Sequence, residues 1–122
     1  MSKSAEFEAT FDTLRRVLKP YEKDLAVVAD EPGRYYLKSR TARNASGSAI
    51  WFGGVEIRKS YVSFHLIPVY ADPKLLKKAS PSLLKRMQGK SCFNFTSIDP
   101  AHVDELSTMT RKGFDGFVKR FS

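Results

Sequence analysis

The sequence predicts an α+β fold, a two-layer sandwich whose mostly antiparallel sheet of about five or six strands carries the N- and C-terminal helices on one face. Three observations lead there. Both ends of the chain place apolar residues at the three-four spacing of one helix face. The middle alternates apolar and polar residues at the spacing of strands. The candidate strands also follow one another across short turns, which favours antiparallel neighbours.

The first helix has Ser4 as its cap and Phe7, Phe11, Leu14 and Leu18 on one face, and it ends at Pro20. Residues 25–29 and 34–39 are β-prone runs separated by Asp30-Glu31-Pro32-Gly33, where Pro fixes φ and Gly accepts a positive one, so a hairpin is expected. Residues 40–48 lack apolar spacing and include Asn44, Ser46, Gly47 and Ser48, the composition of an exposed, mobile loop carrying Arg40 and Arg43. From Ala49 the pattern is extended, with Gly53-Gly54 marking a bulge or bend where another backbone or a ligand comes close. Lys59-Ser60 turns the chain, and Val62, Phe64 and Leu66 then alternate with Tyr61, Ser63 and His65 until Pro68 closes the strand.

Two short helices follow, one with Leu75, Leu76 and Ala79, the other opening at Ser80-Pro81 with Leu83, Leu84 and Met87 and ending at Gly89. A last strand over residues 91–97 puts Phe93 and Phe95 on one side and Cys92, Asn94 and Thr96 on the other. Asp99-Pro100 opens a final helix striped with Val103, Leu106, Met109, Phe114, Phe117 and Phe121, with Lys119 and Arg120 suiting its C-terminal dipole and His102 in solvent near its start.

A chain of 122 residues, 42% hydrophobic with fifteen aromatic residues, supplies the core of a single domain spanning residues 1–122. Residues 1–10 contain Glu6 and Glu8 and no apolar run, so neither a signal nor a transit sequence is expected. The single cysteine, Cys92, excludes an internal disulfide and fits a reducing, cytoplasmic setting. No run reaches the length of a membrane span, so no membrane partner is expected. Charge is segregated: residues 34–90 hold twelve Lys or Arg against Glu56 and Asp72, a regional +10 in a chain of +8. That imbalance points to an anionic partner, a nucleic acid or a phosphorylated small ligand.

The candidate ligand-binding residues are Trp51, Arg58, Lys59, Tyr61, His65, Tyr70 and Lys90, drawn from a wider set with Phe52, Arg34, Arg40 and Arg43. Aromatic faces stack on bases while cations meet phosphate. No catalytic residue, metal ligand or cofactor is assigned. Gly89-Lys90-Ser91 lacks the earlier glycine of a phosphate loop, since position 84 is Leu84, and reads as a helix end before a strand. Cys92, His65 and Asn94 would suit thiol catalysis if their strands were adjacent and the thiol pKa lowered. An open aromatic sheet face would also suit a homodimer.

The stretches Trp51-Phe52-Gly53-Gly54-Val55-Glu56-Ile57-Arg58-Lys59, Tyr61-Val62-Ser63-Phe64-His65-Leu66 and Gln88-Gly89-Lys90-Ser91-Cys92-Phe93-Asn94-Phe95 carry a resemblance. Over roughly residues 45–117 the chain resembles the YdhG-like group of small bacterial domains of unknown function, which look like relatives of frataxin-type α+β sandwiches. The resemblance implies two alternatives. One is an intracellular iron chaperone, for which Glu8, Asp12, Glu22 and Asp24 would be the metal surface, although Arg15, Arg16, Lys19 and Lys23 bring that stretch close to neutral. The other is a DNA-binding domain, with which the basic centre agrees better.

Overall fold

A computed structural model describes residues 3–43 and 45–121, with the side chains at 3, 4, 41, 120 and 121 left out. The cap at Ser4, the loop residue Asn44 and the helix-end side chains of Arg120 and Phe121 lie outside the described residues and side chains. The architecture is the expected α+β sandwich, an open antiparallel sheet with the N- and C-terminal helices on one face.

Helix α1, Lys3–Leu18, buries Phe7, Phe11, Leu14, Val17 and Leu18 against the sheet. Pro20 ends the α-helix but not the helical path, which continues as a 3-10 turn over Lys19–Asp24. Proline in a first turn lacks only an N–H that would have no partner there, so it starts the new turn without cost.

Strands β1, Ala26–Glu31, and β2, Arg34–Arg43, form the hairpin. Its turn is Pro32-Gly33 alone, with Gly33 at φ 79° and Glu31 already paired with Arg34. Strand β2 runs on to Arg43, which pairs with Ala49, so residues 40–43, expected as the start of a loop over 40–48, are strand. Polar groups hold this extension. The Arg40 guanidinium donates to the carbonyls of Leu25 and Lys23, and the Ser39 hydroxyl accepts from the Ala42 N–H. Hydrophobic alternation does not register bonds of this kind.

Strands β3, Ala49–Ile57, β4, Val62–Leu66, and β5, Cys92–Phe95, complete a sheet of order β1-β2-β3-β4-β5 with every neighbouring pair antiparallel. A bridge between Met87 and Phe93 adds a short sixth rung outside β5, where Asn94 donates to the Arg86 carbonyl and Gln88 to that of Cys92.

Between β4 and β5 lie α2, Ile67–Ala71, a 3-10 turn, Pro73–Leu76, and α3, Pro81–Leu84. Pro68 closes β4 by opening α2, an element the strand pattern concealed. Helix α3 stops at Leu84 instead of reaching Gly89, because Met87 is taken by its pairing with β5. Ser80 caps α3 as expected, accepting from the Leu83 N–H at 3.2 Å.

Helix α4, Pro100–Phe121, begins after Asp99, whose carboxylate accepts from the Ala101 N–H at 2.8 Å. His102 is not in solvent. It is buried, and its Nε2 lies 2.9 Å from the Ser82 hydroxyl, while Glu105 accepts from both the N–H and the hydroxyl of Ser80. These polar contacts tie α3 to the first turns of α4, so the histidine is a structural link between two helices.

The core lies between the sheet and the two long helices, with Tyr35, Leu37, Phe52, Val55, Phe64, Leu66 and Phe93 facing Leu14, Leu18, Leu106 and Phe117. Phe52 is its hub, its ring centroid 5.3 Å from that of Phe117, 5.7 Å from Phe114 and 5.9 Å from Tyr21. Replacing it by alanine removes those contacts and leaves a cavity. The expected loss for Phe52→Ala is about 3–5 kcal/mol, a large share of the roughly 5–15 kcal/mol typical of a domain. Urea unfolding should show a lowered midpoint at unchanged slope.

Candidate functional site

Strand register decides which side chains share the face opposite the helices. One row across the sheet is Ala29, Tyr36, Gly54, His65 and Cys92; the next is Glu31, Arg34, Glu56, Ser63 and Asn94. In β3 the register slips: Leu37 pairs with Gly53 but Lys38 with Trp51, so Phe52 is an extra residue. This bulge sends Phe52 into the core and leaves Trp51 on the outer face, 39% exposed. Phe52, which the sequence groups with the wider binding set, is thereby a core residue and not available to a ligand.

The glycine pair is a point of close approach, and what approaches is the protein itself. A Cβ on Gly53 would lie 2.7 Å from the His65 carbonyl oxygen, and one on Gly54 would collide with the Tyr36 ring. With that space free, Tyr36 sits edge-on to Trp51, centroids 5.6 Å apart at 90°, and 6.1 Å from the His65 ring. Its hydroxyl donates to the Glu56 carboxylate at 2.8 Å. Burial, and then this bond, push the Tyr36 phenol pKa upward, so it stays a donor.

Glu56 also gathers two cations. Arg58 lies 3.3 Å from its carboxylate and Arg34 3.9 Å, with the Arg34 guanidinium 5.4 Å from the centre of the Tyr36 ring. Two guanidinium groups thus share one carboxylate, although Arg34 also reaches Glu31 at 3.8 Å. Tyr36, Trp51, Arg58, His65 and Ile67 line a small cavity of about 180 Å³ floored by Gly53.

Of the residues expected to bind a ligand, the structure brings Trp51, Arg58 and His65 together at this cavity. Lys59, exposed, and Tyr61, half-buried, belong to the β3–β4 turn and do not line it. Tyr70 and Lys90 pair with each other elsewhere, the Lys90 ammonium 5.6 Å from the centre of the Tyr70 ring. Sequence reading overlooked Tyr36. The signal was present, since Tyr36 alternates with the core residues Tyr35 and Leu37 and must face outward.

Cys92, His65 and Asn94 do meet, through the pairing of His65 with Cys92. The sulfur is 4.0 Å from the imidazole Nε2, and the thiol donates to the Asn94 amide oxygen at 3.4 Å. The electrostatics oppose thiol activation. Burial raises the Cys92 pKa, offset only partly by Arg58; burial, and then Arg58, lower that of His65. A neutral thiol therefore faces a neutral imidazole, with the amide on the sulfur and not on the base.

Among the described residues no group of three or more His, Cys, Asp and Glu converges in a way that could hold a metal ion. Glu8 and Asp12 border one surface depression, while Glu22 pairs with Lys19 at 2.7 Å and accepts from the Tyr35 hydroxyl at 3.3 Å. Among the described residues no helix is long and apolar enough to cross a membrane. Comparison with protein-family models, curated proteins and solved structures finds no match.

Two measurements follow from the neutral pair. Alkylation of Cys92 by iodoacetamide should lag behind that of an unstructured peptide cysteine through pH 8, because less thiolate is present. For His65 the folded pKa lies below the unfolded one, so its contribution to stability is intact above about 6.5 and is lost as pH falls toward and through the folded value. Thermal unfolding between pH 7.5 and 5.5 should show a smaller loss in His65→Gln than in the parent protein.

Proposed function

We propose that the protein is a non-enzymatic binding domain whose outer sheet face takes an anionic partner bearing a planar base, in the first instance single-stranded nucleic acid. The observation that carries this reading is the meeting of exposed Trp51 and half-buried Tyr36 and His65 with Arg58 at one concavity, with Arg34 beside it. Aromatic faces on a sheet stack on bases with little regard to sequence, and guanidinium groups meet phosphate through paired hydrogen bonds. The cavity is smaller than the few hundred Å³ of an ordinary ligand pocket, which suits one base of a strand lying across the face better than an engulfed ligand.

Electrostatics support binding over catalysis, since the nearest nucleophile is held as a neutral thiol. The regional charge of +10 supplies a longer-range attraction for a polyanion. A cytoplasmic setting, in which Cys92 stays reduced, belongs to the same reading.

The chain has one tryptophan, and it stands in the site, so intrinsic fluorescence reports occupancy directly. Titration with a short single-stranded oligonucleotide should quench it, with affinity falling as salt rises at a slope of about −0.7 per phosphate neutralised. Trp51→Ala should cost about 1–3 kcal/mol of binding. Arg58→Glu should weaken binding and flatten the salt slope by on the order of one phosphate, whereas Lys119→Glu on α4 should leave the slope unchanged. Binding indifferent to salt, or no response to single strands, duplexes and nucleotides alike, would end this reading.

A further inference from the structure

A second cavity, of about 250 Å³, lies between α2 and α4, away from the Trp51 ring. At roughly 30 Å³ for a water-sized group it holds about eight such groups. Its walls are apolar, formed by Ile50, Ile67, Leu75 and Phe117. Two charged side chains reach it. Asp72 is already engaged, accepting from the Lys74 N–H at 3.3 Å as the cap of the 3-10 turn. Lys112 enters no ion pair among the described residues, and it stands where this cavity meets a more polar groove bordered by Asp104 and Glu105. Tyr70, 62% exposed, forms part of the lip, with the Lys90 ammonium beside its ring.

The two glycines of α4 that line this cavity differ in kind. Gly113 has a packing reason, since a Cβ there would come within 3.0 Å of Pro68. Gly116 has none: a Cβ would meet nothing within 4 Å among the described residues, and its φ is not positive. Glycine is the poorest helix former after proline, so a bare position well inside a 22-residue helix goes against local preference. Gly116 is exposed and stands at the border of this cavity, so the missing side chain leaves that border bare. Local preference overridden without a packing reason marks functional positions.

We infer that this cavity is a binding site for a small amphipathic carboxylate, with an apolar body of six to eight carbons (about the cavity's capacity) seated between α2 and α4 and its carboxylate on the Lys112 ammonium. Apolar walls with one uncommitted cation at the rim select a ligand that is apolar along its length and anionic at one end. The inference is independent of the nucleic-acid reading, because the two cavities share only Ile67.

Calorimetric titration of the full chain with octanoate, 1-octanol and octylamine tests it. Octanoate should bind saturably at one site, octanol about tenfold more weakly for want of the charged hydrogen bond, and octylamine more weakly still. Gly116→Leu should fill the cavity and lower octanoate affinity by at least about tenfold while the thermal midpoint holds or rises. Lys112→Met, an exposed change, should reduce affinity for octanoate and leave that for octanol as it was. Absence of saturable heat with all three probes, unchanged octanoate affinity in Gly116→Leu, or equal binding of octanoate and octanol would overturn the inference.

Discussion

The outer sheet face depends on one contact, the ring of Tyr36 against the backbone of Gly54. Any side chain at position 54 would occupy the space of the ring, so glycine is required here by close approach and not by φ. The ring then stands between Trp51 and His65, and its hydroxyl reaches the carboxylate that holds Arg34 and Arg58. The bulge at Phe52, two residues earlier, complements it. Without the extra residue, Trp51 and Phe52 would exchange faces, and the core would lose its hub as the site lost its exposed ring.

Much of this was legible in the sequence where hydrophobic contrast was strong. Phe7, Phe11, Leu14 and Leu18 mark α1, and Val62, Phe64 and Leu66 mark β4, because each faces a dry core at the period of its element. The pairing of His65 with Cys92 was not legible, since residues 67–91 intervene and their path decides which strand β5 joins. The far end of β2 was missed because guanidinium-to-carbonyl bonds hold it. His102 was missed for a different reason: it lies four residues before Leu106 on the buried face of its helix, but an imidazole there needs a polar partner, and Ser82, which supplies it, sits on a neighbouring helix.

The basic segment shows how far a linear charge count carries. Its cations do not form one patch. Arg40 is turned toward backbone carbonyls, Arg34 and Arg58 cluster at Glu56, and Lys74, Lys77 and Lys78 border a groove shared with Asp104 and Glu105. Charge that is contiguous along the chain is divided by the fold among surroundings of different polarity. The attraction felt at a distance by a polyanion follows the sum, while contact recognition follows the local groups.

The two borders of the sheet are unlike. Residues 86–88 run along β5 and take up its outward-facing backbone groups, whereas β1 ends the sheet on the other side, with Val28 bulged and the charged pair Asp30 and Glu31 near its tip. A ladder that is sealed at one border can be lengthened at the other only once. Two copies meeting β1 to β1 would produce a continuous sheet bordered at each end by residues 86–88, with β5 bare at neither. The hazard of sheets with two bare borders is open-ended growth, and here the short segment beside β5 leaves no long, flat strand at that border to template it.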